Sequence, residues 1–173
     1  MYFNIFIHSV FIFFFLSCTD VVKPSLGCTD CNAVNYDSSA VIDDSSCFFL
    51  NSNRIYSYSV QDSIMDFSLT WFFDSYTIFI EREPCNPNGI LIKNYGNIVN
   101  SDGSLIIRAI AEEDSIYIPS QIIDTGNETF STDYIQISES TGYFRNDSIY
   151  IILDYSDRYD PYTGKLFGIK IDN

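Results

Sequence analysis

The sequence predicts an all-β fold, in which an antiparallel meander forms a sandwich or barrel-like domain behind a small disulfide-closed module. Three observations predict it. Apolar and polar residues alternate with a period of two in several segments, turn-forming residues separate these segments, and no 11-residue window carries a convincing helical stripe. Short strands joined by short turns form antiparallel hairpins, which pack as sandwiches or barrels.

The alternating segments and turns lie in the part of the chain that we assign to a β-domain, residues 55–173. Their alternation of β-branched and aromatic residues is typical of half-buried strands. The segments are marked by Tyr76, Ile78 and Ile80, by Ile149, Ile151, Leu153 and Tyr155, and by Phe167, Ile169 and Ile171 alternating with Leu166, Gly168 and Lys170. The turn signals are NPNG at 86–89, SDG at 101–103, TGN at 125–127 and DPYTG at 160–164.

Length and charge restrict the function. A chain of 173 residues is expected to hold one modest domain plus extra segments. Its net charge of -14, from 9 basic and 23 acidic side chains, argues against a nucleic-acid partner and against binding to an anionic membrane through protein charge. Aromatic residues make up 17% of the chain, which is enough to build a core.

The N-terminus carries an apolar run at residues 5–16 that has the length of a signal-peptide core and is short for a membrane-spanning helix. Leu16-Ser17-Cys18 follows it directly and resembles the lipobox of bacterial lipoproteins. The resemblance implies a signal peptide over 1–17, acylation of Cys18, and a lipid-anchored tether over 18–26. An uncleaved N-terminal anchor is the alternative.

This resemblance also implies a location and limits the chemistry. The expected location is the bacterial cell envelope, at the outer membrane, outside the reducing cytoplasm, so that disulfides persist. The single histidine, His8, lies in the expected signal peptide. The mature chain would then have no Ser-His-Asp or Cys-His nucleophile system, and Gly-rich phosphate loops are absent.

The segment 27–50 is rich in cysteine and aspartate and permits several interpretations. Four thiolates could bind zinc, but thiols in an oxidising compartment form disulfides. The Cys28-x-x-Cys31 pair lacks the βαβ unit of a thioredoxin-like motif. Calcium is a weak alternative, and its candidate ligands are Asp30, Asp37, Asp43 and Asp44, whose spacing does not match an EF-hand. Closing the eighteen residues between Cys28 and Cys47 as a disulfide loop would contribute about 3 kcal/mol.

The pattern G-C-T-D-x-x-A-x-N-Y-x-x-x-A-x-x-D-D-x-S-C, read from Gly27 to Cys47, resembles a short module of secreted and surface proteins of Bacteroidota. The resemblance implies a bridge between Cys28 and Cys47, which leaves Cys31 and Cys85 as the second pair. Four cysteines allow three connectivities. The resemblance brings no activity, and we predict no cofactor.

A second resemblance covers residues 75–171. The order of YTIFI, NPNGILIKNYGN, IYIPSQ and IYIILDY resembles a β-domain of small Bacteroidota lipoproteins. It implies a fold and a location but no ligand.

Two clusters could carry chemistry. Asp154, Asp157 and Asp160 could supply the carboxylate pair of a glycan hydrolase, and a charged hairpin loop is the simpler interpretation. The run Trp71-Phe72-Phe73 could bind a sugar or a protein partner, although such runs more often belong to a core or a strand edge.

The tripeptide Asp-Ser-Ile occurs three times, at 62–64, 114–116 and 147–149. The simpler interpretation is that Asp-Ser closes a turn and Ile opens the next strand. The functional interpretation is that Asp-Ser-aliphatic resembles the O-glycosylation site of exported Bacteroidota proteins, with glycans on Ser63, Ser115 and Ser148.

Together these observations predict a lipid-anchored, non-catalytic envelope or surface protein with a structural or binding role and an unidentified protein or glycan partner. The alternatives are a carboxylate-based glycan hydrolase that uses acids such as Asp157 and Asp160, and a small-ligand carrier in case the strands close into a wide enough barrel.

Overall fold

The computed structural model describes residues 23–97, 99–100, 103–124, 134–157 and 160–171, and it confirms the all-β prediction. The expected signal peptide, Cys18 and the 125–127 turn lie outside these residues. Within them, no helix has the length and apolar character that a bilayer crossing requires. The strands are β1 (Leu26–Gly27), β2 (Ile42–Asp43), β3 (Ser57–Met65), β4 (Trp71–Arg82), β5 (Gly89–Lys93), β6 (Val99–Asn100), β7 (Gly103–Ser104), β8 (Ile106–Glu112), β9 (Ser115–Ile118), β10 (Gln121–Asp124), β11 (Tyr134–Ile137), β12 (Ser140–Arg145), β13 (Ser148–Ser156) and β14 (Pro161–Lys170).

Eight of these strands close into an antiparallel barrel, so the barrel form of the prediction is the one that the structure adopts. Their order around the barrel is β3, β4, β5, β8, β9, β12, β13 and β14, and β14 pairs back onto β3. The order in space follows the order in the chain, which makes the topology an up-and-down meander. Because the sheet closes on itself, none of these eight strands is an edge strand along its whole length. The closing pair aligns Lys170 with Tyr58 and Thr163 with Met65.

The strand that contains β9 and β10 is broken at Pro119, which has no N–H for a ladder hydrogen bond. The side chain of Gln121 substitutes for the missing peptide group. Its Oε1 accepts from the Arg108 N–H at 3.0 Å, and its Nε2 donates to the Arg108 carbonyl at 2.9 Å. Beyond this break, β10 and β11 pair as a hairpin, and β11 joins β13 at Gln136 and Ile137.

The barrel interior is packed mainly with isoleucine. Each strand places alternate residues inside, so that a narrow barrel is filled by side chains from all its strands. The fully buried side chains include Ile78, Ile80, Ile90, Ile92, Ile107, Ile116, Ile118, Ile137, Ile149 and Ile151.

In β14 the inward face is the one with the smaller side chains. Leu166 is fully buried, whereas Phe167 and Ile169 are 43% and 54% exposed. A Cβ atom at Gly168 would lie 2.6 Å from Val60 Cγ1 and 2.9 Å from Ile149 Cγ2, so larger side chains do not fit there. Phe167 and Ile169 therefore lie on the outer wall.

The N-terminal module packs against one end of the barrel. Its cysteines form the bridges Cys28–Cys47 and Cys31–Cys85, the pairs that the resemblance implies. The second bridge ties the module to the β4–β5 turn, where the Cys85 N–H also donates to Asn32 Oδ1 at 2.9 Å. Arg54 adds an ion pair of 2.6 Å with Asp114, in the β8–β9 turn.

The two ends of the barrel therefore differ. We name the end with the turns at 83–88, 113–114 and 146–147 the module end, because the N-terminal module contacts it. The opposite end has the 66–70 turn and the connection from β13 to β14, and we name it the ribbon end. There the last residues of β3, the 66–70 turn and the first residues of β4 form a hairpin over 61–75, the aromatic ribbon.

Candidate functional site

The four weak calcium candidates hold the turns of the module. The carboxylate of each accepts a hydrogen bond from the backbone N–H two residues further on: Asp30 from Asn32, Asp37 from Ser39, Asp43 from Ser45, and Asp44 from Ser46. This is the Asx-turn geometry by which aspartate stabilises a tight turn. Among the described residues, no group of three or more His, Cys, Asp or Glu side chains is arranged to hold a metal ion.

The candidate hydrolase carboxylates belong to the β13–β14 hairpin. Asp157 Oδ1 accepts from the Asp160 N–H at 2.8 Å, and Asp157 Oδ2 accepts from the Tyr162 hydroxyl at 3.2 Å. Asp154 lies on the outer wall and accepts from the Thr163 hydroxyl at 2.8 Å. These contacts close the hairpin, which gives the acids a structural role.

The three Asp-Ser-Ile sites are not equivalent. Ser115 and Ser148 open β9 and β13 directly after tight turns, as the turn interpretation predicts. At 62–64 that interpretation is wrong, because the tripeptide lies inside β3, and the Ser63 hydroxyl donates to the Lys165 carbonyl at 3.1 Å. Of the three serines, Ser115 is exposed, whereas Ser63 and Ser148 are half-buried.

Because 62–64 lies inside β3, Asp62 is a buried carboxylate, only 2% exposed inside the barrel. It follows Tyr58 and Val60 at intervals of two, on the inward face of β3. The sequence signal for this buried carboxylate was its position, two residues after Val60 on the same face of the strand. Interpreting 62–64 as a turn hides that alternation.

Three tyrosines surround Asp62 and form, with it, what we call the interior cluster. Its members are Asp62, Tyr76 of β4, Tyr95 of the 3-10 turn Tyr95–Asn97, and Tyr155 of β13. The Tyr76 hydroxyl donates to Asp62 Oδ2 at 2.8 Å. Within the described residues, Asp62 Oδ1 and the Tyr95 hydroxyl are buried without a hydrogen-bond partner. Such orphaned polar groups are rare in protein interiors, because each costs about 1–3 kcal/mol.

Burial changes the titration of the whole cluster. Desolvation raises the pKa of Asp62, and the hydrogen bond from Tyr76 acts against it. Desolvation and then the charge of Asp62 raise the pKa of Tyr76, Tyr95 and Tyr155. The phenols therefore stay neutral, and the carboxylate is the group of the cluster whose charge is costly.

A cavity of about 60 Å³ adjoins the cluster at the ribbon end. Tyr95 and Tyr155 belong to both, and the remaining wall is apolar, with Ile64, Leu105, Ile135, Ile137 and Leu153. Since one water occupies roughly 30 Å³ of liquid volume, the space suits a very small molecule. It is well below the roughly 300 Å³ expected of a site for a drug-sized ligand.

Gly164 of β14 lies against the cluster and provides a test of its packing. A Cβ atom there would collide with the Tyr95 hydroxyl and lie 3.7 Å from Asp62 Oδ1. We expect Gly164→Ala to lower the free energy of unfolding by about 1–3 kcal/mol through overpacking. Adding Tyr95→Phe should recover most of that loss, because it removes the colliding atom. A double-mutant cycle by urea denaturation measures this coupling, and strictly additive effects would contradict the contact.

The second candidate surface is the aromatic ribbon. Its turn is fixed by Asp66, whose Oδ1 accepts from the Ser68 N–H, the Ser68 hydroxyl and the Thr70 N–H at 2.7–2.9 Å. These bonds lower the pKa of Asp66, the Ser68 hydroxyl most. Leu69 has a φ of 62°, a left-handed conformation that is rare for a branched side chain. The ribbon exposes five large apolar side chains: Phe67, Leu69, Trp71, Phe72 and Phe73.

One edge of the ribbon has unpaired peptide groups. The Ile80 N–H donates to the Tyr56 carbonyl, so the even-numbered residues of β4 bond toward β3 and the odd-numbered ones bond away from it. On the far side, β5 pairs with β4 only from Phe79 onward, and the Asn94 side chain caps the Thr77 carbonyl. In the part of the chain that the structure describes, the peptide groups of Trp71 and Phe73 on that side bond to no strand.

The chain was also compared with known proteins. No family model, curated protein or solved structure matches it.

Proposed function

We propose that this protein is a lipid-anchored, non-catalytic binding module of the bacterial envelope that presents the aromatic ribbon to an extended segment of a partner protein. The observation that carries the proposal is the ribbon itself, a hairpin with five exposed apolar side chains and a free strand edge. Exposed apolar clusters on a fixed framework mark interaction sites, and a free edge accepts an added strand.

The position of the ribbon fits this role. The N-terminal module contacts the module end, and the tether leads into that module. The ribbon lies at the opposite end of the barrel, so a chain acylated at Cys18 would hold it away from the membrane.

The ribbon favours a protein over a glycan. Lys165 Nζ lies over the Trp71 ring at 5.2 Å from its centroid, so one of the two ring faces on which a sugar could stack is occupied. The free peptide groups match the main chain of a strand instead. Asp66 and Asp74 in the ribbon and the net charge of -14 favour a basic partner segment.

The barrel fold is also consistent with a carrier role. The interior cavity of about 60 Å³ is small for a transported ligand. A carrier role also does not explain why the ribbon exposes its apolar side chains. We therefore favour the binding module.

Cross-linking in living cells tests the ribbon. A photo-reactive phenylalanine analogue at Phe73 should form a discrete adduct with one envelope protein, whereas the same analogue at Phe167, on the outer wall of the barrel, should not. An adduct at Phe167 and none at Phe73 would place the interface elsewhere.

Two substitutions at one position then separate strand pairing from simple apolar contact. Phe73→Ala removes the ring and should weaken binding of the cross-linked protein about tenfold, as for an interface anchor. Phe73→Pro also removes the N–H that points to the free edge, while the ladder to β3 keeps its bonds. Proline should therefore weaken binding about tenfold further, in the range of one lost hydrogen bond. Equal affinities of the two variants would exclude strand addition.

The anchor is tested separately. We expect Cys18→Ala to move the protein from the membrane fraction to the soluble fraction, because acyl chains contribute about 0.8 kcal/mol for each buried CH₂ group. Immunoblotting of fractionated cells measures this shift, with Thr19→Ala, at the next position of the chain, as the control for a substitution in the tether. A Cys18→Ala variant that still sediments with membranes would show that another segment anchors the chain.

A further inference from the structure

Three aromatic residues form one row across the outer wall of the barrel. The register aligns Tyr143 of β12 with Tyr150 of β13, and Tyr150 with Phe167 of β14. Tyr150 lies between the buried Ile149 and Ile151, so it faces outward, and Tyr143 and Phe167 are 47% and 43% exposed. Single exposed apolar side chains are normal on a protein surface, whereas a contiguous group marks an interaction site.

Packing between the strands accounts for only part of this row. The ring centroids of Tyr143 and Tyr150 are 5.2 Å apart, and the ring planes are inclined at 32°, as in the aromatic pairs that stabilise neighbouring strands. Phe167 is also a cross-strand partner of Tyr150, but among the described residues no ring contact joins these two. The aromatic pair therefore does not explain the exposed ring of Phe167.

Phe167 lines two clefts of the outer wall. The first has a volume of about 220 Å³, and its lining includes all three rings of the row together with Arg145 and Asn146. The second has a volume of about 500 Å³ and lies toward β3, where Gln61 is the next residue of the same row. A chain-like ligand that crosses the strands along this row would enter both clefts.

The first cleft combines aromatic rings with polar side chains that can bind a ligand. In the part of the chain that the structure describes, no hydrogen bond or ion pair involves the side chain of Arg145 or Asn146. The guanidinium group has five donors, and the amide group both donates and accepts. The peptide groups here are already used, because β13 pairs with both β12 and β14. Side chains alone, and not strand addition, would therefore hold a ligand in this cleft.

A pyranose sugar has the matching chemistry. In the gluco configuration every hydroxyl of the ring is equatorial, so both ring faces carry C–H groups and the rim carries hydroxyls. The C–H face suits the negative π face of an aromatic ring, and each hydroxyl both donates and accepts hydrogen bonds. An acyl chain would leave Arg145 and Asn146 against apolar groups, which is costly for polar side chains.

We propose that the two clefts bind a glycan chain of β-linked, gluco-configured pyranose units. One unit stacks on Phe167 and bonds to Arg145 and Asn146 through its hydroxyls, and the next unit lies beside Gln61. The site is separate from the ribbon and does not depend on the partner protein proposed for it. A bound glycan gives no protein adduct, so Phe167 remains a suitable control for cross-linking at the ribbon.

Titration of the full chain with cellotetraose, followed by NMR, tests this site. Sorbitol is the matched control, because it has the hydroxyls of glucose without a ring face. Octaproline represents a peptide that docks on aromatic side chains without strand pairing. We expect saturable shifts at the three rings of the row with cellotetraose and none with sorbitol or octaproline. The fluorescence of Trp71 should stay constant, because Trp71 lines neither cleft.

Variants assign the binding to the row. Phe167→Ala should weaken cellotetraose binding about two- to tenfold, in the range of one aromatic contact. Phe79→Ala is the matched control and should leave the affinity unchanged, because Phe79 is also 43% exposed but lines neither cleft. Arg145→Met removes the donors, keeps an apolar stem and should weaken binding several-fold.

Four results would each overturn the proposal. They are the absence of saturable cellotetraose binding, equal binding of sorbitol, undiminished binding to Phe167→Ala, and shifts of the same rings with octaproline, which would show that sugar chemistry is not what the row recognises. A change in Trp71 fluorescence on addition of cellotetraose would also contradict it, because the glycan would then bind at the ribbon.

Discussion

Loss of the Cys31–Cys85 bridge is expected to lower the free energy of unfolding by about 4 kcal/mol in the chain-entropy model, because the bridge closes a loop with a sequence separation of 54. The loop contains the whole of β3 and the whole of β4, so the bridge restricts the unfolded form of the barrel as well as that of the module. The experiment is Cys31→Ser together with Cys85→Ser, followed by chemical denaturation. The fluorescence of Trp71, the single tryptophan, reports on the barrel.

The other bridge supplies the matched control. Cys28→Ser together with Cys47→Ser opens a loop with a sequence separation of 19 that lies wholly inside the module. We expect it to loosen the module by about 3 kcal/mol and to leave the barrel transition nearly in place. A barrel transition that responds equally to both pairs would show that module and barrel unfold as one unit. No response to loss of Cys31–Cys85 would contradict the predicted coupling.

Leu166→Ala is expected to cost about 2–5 kcal/mol of unfolding free energy, whereas Phe167→Ala should cost less than about 1 kcal/mol. Leu166 is fully buried among the interior side chains, while Phe167 is 43% exposed on the outer wall. The larger side chain is therefore predicted to matter less. Urea denaturation of the two variants measures the difference. A greater loss for Phe167→Ala would show that β14 is turned the other way.

Several features followed from local chemistry. Alternation with a period of two gave the strand type, because a strand presents successive side chains to opposite faces. The NPNG turn signal fell between β4 and β5, and the charged hairpin interpretation of 154–160 agrees with the bonds of Asp157. In the module, every calcium candidate bonds to a residue two positions away, which sequence spacing alone can suggest.

The candidate sites were harder to predict from the sequence. The run Trp71-Phe72-Phe73 was recognisable as a partner patch or a strand edge, but its free peptide groups depend on where β5 stops pairing. Asp62 was missed, because the tripeptide Asp-Ser-Ile occurs both after turns and inside β3, and its sequence does not distinguish the two positions. Its tyrosine neighbours come from three separate elements of the chain, so no local sequence pattern predicts that they meet.

Strand periodicity and turn chemistry are local properties, and they were enough to predict short antiparallel strands behind a polar, cysteine-rich module. The tertiary structure decided that the strands close, through the pairing of β14 with β3 across almost the whole domain. It also decided which face of each strand is inside, because alternation defines two faces without distinguishing them. Close packing distinguishes them in β14, where only Gly164, Leu166 and Gly168 leave room for the side chains of β3 and β13 and for Tyr95.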